Sequence, residues 1–180
     1  MRSKFDQQLA LLNEELTQMG ETCAKAICLA AQALEEQNAS TAAPVAELEE
    51  QTNEQERSIE ALCLKLLLQQ QPVARDMRLV SAALKVVPDI ERIGDHVADI
   101  VELYLRMGNM NPEGKQEHLL LEMMEEAKEM IHNSVEAFVE GDEANARKVV
   151  EHDDVVDDLF NEVKTEMMQA IREQNLDADR

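Results

Sequence analysis

Apolar residues recur along this chain at three- and four-residue intervals, and no sustained stretch alternates them with polar ones. The first such stretch runs from about Phe5 to Asn38, with Leu9, Leu12, Leu16, Met19, Cys23, Ala26 and Ala30 along one face. Residues 38–44, ending in Pro44, interrupt it. A second helix is expected from Pro44 to Gln71, carrying Leu48, Ile59, Leu62 and Leu66, with Pro72 as its stop. A third is expected from Val73 to Met107, with Met77, Val80, Leu84 and Val87 turned to a core. Pro88 lies inside it and predicts a kink or short break, because proline removes one hydrogen bond and crowds the preceding turn. Residues 108–114 read as a linker, since Gly108, Pro112 and Gly114 fall within them. A fourth helix follows from Gln116 to Glu140, closed by Gly141. A fifth runs from Asp142 to Gln174, with Asp142 as its N-cap. The pattern predicts an all-α protein of five long helices running up and down.

The two halves look like copies. Glu49-xxx-Asn53 followed by Ile59 in the second helix matches Asp153-xxx-Asp157 followed by Val163 in the fifth, at a constant offset. Residues 1–108 then form a first unit of three helices, and residues 109–180 a second unit that lacks its last helix. The apolar faces of that second unit have no obvious cover. They imply either a chain cut short or one that recruits a partner helix.

Composition supports helices and narrows the chemistry. There is no Trp, one Tyr and three Phe, so the core is aliphatic and filled out by methionine. A formal net charge of −21 makes a surface that repels nucleic acid and anionic membrane, and attracts cations. No Gly-rich loop, Walker sequence or arginine cluster offers to cradle phosphate. No apolar run nears the roughly 20 residues that span a bilayer, and the first residues have no signal-peptide core, so a cytoplasmic protein is expected. Cys23, Cys28 and Cys63 show no CxxC pairing and read as small buried hydrophobes.

The candidate chemistry is carboxylate. Glu91, Asp95, Asp99 and Glu102 stand at i, i+4, i+8 and i+11, within roughly 80° of one helix face. Like charges at i,i+4 cost a helix about 0.2–0.5 kcal/mol per pair, and no Lys or Arg lies within the stripe. Glu49, Asn53, Glu56 and Glu60 flank the apolar face of the second helix. If the second and third helices are antiparallel neighbours, the two stripes face each other. The result is an oxygen-only site suited to Mg, Ca, Mn or iron. On the fifth helix Asp153 and Asp157 border the apolar face formed by Val149, Val156, Leu159, Phe160, Val163 and Met167, whereas Asp154 and Asp158 lie far round. Arg57 and Arg92 are placed to neutralise some of these acids, and a solvated acidic face is the plain alternative to a metal site. Gly94 permits close helix approach at a cost of about 1 kcal/mol in helix propensity. His96 and His152 each follow or precede an acid but point about 100° from it, and read as surface residues. Glu129 and His132 make a single ExxH, where di-iron bundles use two. No nucleophile stands beside a recognisable base.

The run Gln71-Pro-Val-Ala-Arg-Asp-Met-Arg-Leu-Val80, then Asp89-Ile-Glu-Arg-Ile-Gly-Asp-His96, resembles the PhoU family. So do the opening Phe5-Asp-Gln-Gln-Leu9 with Met19-Gly20 and the Glu49/Asn53 and Asp153/Asp157 pairs. The resemblance covers nearly the whole chain. It implies two similar three-helix bundles, the second incomplete here, because the second copy of the Glu-Arg-x-Gly-Asp helix is absent. It implies a non-enzymatic, cytoplasmic negative regulator of phosphate uptake, a homodimer, whose partners are the ATPase of a phosphate-specific ABC transporter and the histidine kinase that reads its state. It also implies multinuclear metal clusters, iron in particular, with Mg, Mn, Ca and Zn left open. Carried over, Glu49, Asn53, Glu91, Asp95 and Asp99 form a first metal site, and Asp153 and Asp157 contribute to a second. Two other readings of the residues stay beside this one: a carboxylate-bridged metal enzyme in a helical bundle, and a metal-free helical interaction module.

Overall fold

The computed structural model describes residues 2–69, 73–107 and 114–178. They form five long helices and one single-turn helix: α1 (Arg2–Glu35), α2 (Ala39–Ala42), α3 (Val45–Gln69), α4 (Ala74–Met107), α5 (Lys115–Glu140) and α6 (Glu143–Ala178). There is no strand among the described residues. The expected Pro72 stop and most of the expected linker, with the unit boundary at 108/109, lie outside the described residues. Where ends are visible, their causes are local. Asn38 caps α2 by accepting from Ser40 N at 3.1 Å. Gly141 ends α5 in a left-handed conformation with φ 68°, its N–H bonded to Phe138 O. Asp142 Oδ1 then caps α6, accepting from Ala144 N and Asn145 N.

α1 is the hub. It packs on α3, α4 and α5, while α6 packs on α5. The buried register of α1 is Leu12, Leu16, Met19, Cys23, Ala26, Ala30 and Ala33, repeating every three or four residues. Its small members let neighbours approach: a Cβ built on Gly20 would stand 2.9 Å from Val135 Cγ2 of α5. α4 answers with Val80, Ala83, Val87, Ile90, Val97, Val101 and Tyr104, all buried, and Gly94 fills the one gap in that spacing. These residues join Ile59, Leu62 and Leu66 of α3 and Met124, Ile131 and Val135 of α5 in one core that crosses from the first three long helices to the fourth. The contact of α5 with α6 has its own small core of Leu119, Leu159 and Val163.

Of the kink or short break expected at Pro88, the break is absent: α4 continues through the proline, with Val87 and Ile90 on either side buried in the core. Three sequence expectations are corrected. Met77 is half exposed, since it lies about 110° from the centre of the buried register of α4. Cys28 is exposed on the far side of α1, while Cys23 and Cys63 are buried, and burial pushes both of their thiols up to about 11. Phe160, expected on the apolar face of α6, is 55% exposed. It stands to one side of the α5 contact, where no described helix covers it.

Candidate functional site

The seam between α3 and α4 gathers the acids. Thr52 and Gly94 set its width: a Cβ on Gly94 would stand 3.5 Å from Thr52 Cγ2, an ordinary contact with no room beyond it. Thr52 is buried and donates its hydroxyl to Leu48 O at 2.8 Å, so it presents its methyl to the glycine. With the backbones this close, Glu49, Asn53 and Glu56 of α3 share one half-buried strip with Glu91 and Asp95 of α4.

The electrostatics show that these groups feel one another. The Glu91 carboxyl is held above the usual range by partial burial first, then by the charges of Asp95 and Glu49, with Arg92 opposing. Glu56 is raised in the same way, by burial, then Glu91 and Glu60, with Arg57 pulling back and Asp95 adding to the rise. The expected neutralisation by Arg92 is incomplete, because its guanidinium bonds Asp89 at 3.0 Å on the outer face. Asn53 Nδ2 donates to Glu49 Oε1 at 2.6 Å, while its Oδ1 is buried without a hydrogen-bond partner. A buried acceptor left unpaired costs about 1–3 kcal/mol, so this oxygen favours any donor or cation that reaches it.

The donor set is oxygen only, which suits a hard divalent cation. Among the described residues, no three His, Cys, Asp or Glu side chains are already gathered as a cage. The seam therefore offers the right atom types without a preformed coordination shell. Glu49, Asn53, Glu91 and Asp95 come together, and Glu56 joins them, as the facing stripes predict. Asp99 turns away: it is exposed and faces His96 Nδ1 at 4.0 Å. Glu102 pairs with Arg106.

Asp153 and Asp157 stand apart from this seam, exposed on α6. Asp153 edges a mainly apolar cavity of about 420 Å³ whose walls include Val86 and Ile93 of α4, Ile131 of α5 and Val156 of α6. Glu129 and His132 are both exposed, and His96 is exposed as expected. His152 departs from the surface reading: it is half-buried and its Nε2 pairs with Glu126 across α5 and α6. The sequence signal for that pair was available, since His152 falls between Val149 and Val156 on the side of α6 that meets α5.

With this geometry in view, comparison with known proteins is informative. The family profile described as PhoU domain matches residues 16–104 and 120–180. The chain is 31% identical over 171 residues to the phosphate-specific transport system accessory protein PhoU homolog of Aquifex aeolicus, covering 94% of this chain and 76% of that relative. It is 32% identical over 169 residues to the like-named protein of Deinococcus radiodurans, covering 93% and 78%. In structure it is similar to the crystal structure of PhoU from Pseudomonas aeruginosa, with a TM-score of 0.88 and 26% identity over 98% of this chain and 84% of that one. PhoU from Streptococcus pneumoniae shares the fold, with a TM-score of 0.84 over 94% of this chain and 80% of that one, at 23% identity.

Proposed function

We propose that this chain, which belongs to the PhoU family, is an accessory regulator of phosphate transport that works by protein contact and catalyses nothing. The observation that carries this reading is the match along nearly the whole chain to relatives named as accessory proteins of phosphate-specific transport. From the family resemblance, its partners are the ATPase of the phosphate ABC transporter and the phosphate-sensing histidine kinase, and it restrains both from the cytoplasmic side. Two features support a protein-contact mode. No helix among the described residues is long and apolar enough to cross a membrane, and a chain of net charge −21 without a phosphate cradle is a poor receptor for free phosphate.

In this reading the α3–α4 seam holds a divalent cation through Glu49, Asn53, Glu91 and Asp95. The cation would supply positive charge between two acidic helix faces, and the seam residues would supply its oxygen ligands and hold α3 against α4.

The test has two arms. In phosphate-replete cells, loss of the protein is expected to raise phosphate uptake, and the tagged chain is expected to retain the transporter ATPase and the kinase. Unchanged uptake together with retention of neither partner overturns the regulatory reading. For the metal, Mn²⁺ or Fe²⁺ is expected to raise the unfolding temperature of the wild type and not that of Glu91→Gln with Asp95→Asn, since a ligand bound at 100 times its Kd adds about 2.7 kcal/mol. No shift in the wild type removes the cation and leaves the regulatory role standing.

A further inference from the structure

Charge is spread unevenly along this chain. Residues 61–88 carry Lys65, Arg75, Arg78 and Lys85 against a single acid, Asp76, a net of +3, so the rest of the chain carries −24. The stretch spans the end of α3 and the first half of α4. All four cations are exposed, and none forms an ion pair among the described residues.

Large apolar side chains reach the surface at the same place. Leu68 is 82% exposed, Leu64 53% and Met77 49%. The register of the helices gathers them in one groove. Thr52 meets Gly94, and one turn further along α3 the charge of Glu91 reaches Glu56, so α4 runs back antiparallel beside α3. At the same spacing Leu64 stands level with Ser81, and Leu68 with Met77. The groove continues the acidic seam: Leu64 follows Glu60 by one turn on α3, and Met77 precedes Asp95 by about five turns on α4. Arg78 and Lys85, about two turns apart, wall its outer side. With Met77, Ser81 and Ala82 they enclose a recess of about 280 Å³.

Size and charge select the occupant. From Val73 to Lys85 the groove is about 18 Å long, and acids close it beyond, at Glu60 and Asp89. A bilayer is flat and would reach past that end to Glu56 and Glu91, where an anionic face is repelled over a Debye length of about 8 Å. A second copy laid groove to groove would set cation against cation. Three or so turns of a helix fit the length, with leucine-like side chains for the floor and carboxylates for the wall.

We propose that this groove docks an acidic amphipathic helix of a partner protein, its apolar side chains on Leu64, Leu68 and Met77 and its carboxylates on Arg78 and Lys85. The inference rests on the protein-contact reading above for the class of partner. One short helix buries less than a standard interface, so the Kd should be on the order of 10–100 µM.

The probe is a labelled synthetic peptide of about 14 residues, with leucine every three or four positions and glutamate on both flanks. Fluorescence anisotropy with the full chain is expected to show binding in that range. Arg78→Glu with Lys85→Glu should weaken it by about tenfold or more, and Leu64→Ser or Leu68→Ser by about threefold. These side chains are exposed, so circular dichroism should find the helices intact. Lys25→Glu, exposed on α1, should leave binding unchanged. No binding by the wild type up to about 1 mM overturns the proposal. So does binding that survives the double reversal, or equal binding of a peptide with glutamine for glutamate. Capture of the wild type by phosphatidylglycerol vesicles, abolished by the double reversal, assigns the groove to a membrane and also overturns it. In cells the double variant should lose the transporter ATPase or the kinase that the wild type keeps. Equal retention overturns the groove and leaves the contact reading standing, whereas a wild type that keeps neither partner overturns both.

Discussion

The α3–α4 seam and the outer face of α6 start from the same device and reach different chemistry. Glu49 and Asn53 precede Ile59 in one helix as Asp153 and Asp157 precede Val163 in the other. Ile59 is fully buried and Val163 nearly so. In the first case α4 lies across the helix, the acids are half-buried, and the Glu91 and Glu56 carboxyls rise. In the second the acids are exposed to water. An acid-x-x-x-acid pattern is therefore not itself a site. The covering helix makes the site, by removing water and by bringing a second set of charges.

The largest expected effect breaks the comparison at its core. Ile59→Ala removes a fully buried side chain from the main core and should cost about 3–4 kcal/mol, or roughly 10 °C in unfolding temperature. Val163→Ala, its counterpart in the thin α5–α6 core, should cost about 1 kcal/mol, because its surroundings can relax toward solvent. Thermal unfolding of both variants checks this, and equal losses would show that the second half is packed as tightly as the first.

Next is the width of the seam. Gly94→Leu forces a branched side chain into a space where even a Cβ already touches Thr52, so it should cost about 1–3 kcal/mol and push α3 from α4. Gly94→Ala, whose Cβ fits, should be close to neutral or mildly stabilising, since alanine gains about 1 kcal/mol in helix propensity over glycine. If the opening also lets water in, the Glu91 carboxyl should fall back toward its ordinary value in the leucine variant, as carbon-detected NMR titration would show.

The sequence made the helices legible, because buried positions spaced three and four apart leave a pattern that polar residues cannot blur. It also placed Glu49, Asn53, Glu91 and Asp95 on facing stripes. What it could not give was the neighbour of each face. Phe160 and Met77 are apolar and fall near apolar stripes, yet whether they are covered depends on which helix lies beside them. Asp99 continues the acidic spacing of α4, yet it is exposed and faces His96 rather than the seam. Pro88 shows the opposite limit: a local rule allowed for a short break, and with Val87 and Ile90 packed in the core the helix continues through it.

A third difference concerns motion. α4 is held by α1 and α3, whereas α6 rests on α5. Amide hydrogen exchange should therefore find α6 opening well before the centre of α4, by about 2 kcal/mol or more in local opening free energy. Equal protection of both helices in dilute protein would contradict the picture of an open second half.

The smallest expected effect isolates the charge in the closed seam. Glu91 has its folded-state pKa raised above 4.5, so between that value and the raised one the folded chain binds more protons than the unfolded chain. The stabilising contribution of its proton is complete below the unfolded value and is lost as pH rises through the folded one, so at pH 7 the fold carries the penalty of the ionised group. Glu91→Gln removes the penalty and should raise the unfolding temperature at pH 7 by about 1–2 °C, a modest gain because the group is only half-buried. As pH falls through the raised folded-state value the wild type should close that gap. Asp157→Asn, exposed on α6, should change stability at pH 7 by no more than about 0.5 kcal/mol. A gain at Asp157 equal to that at Glu91 would mean that net charge, rather than the cover supplied by α4, sets the cost of these acids.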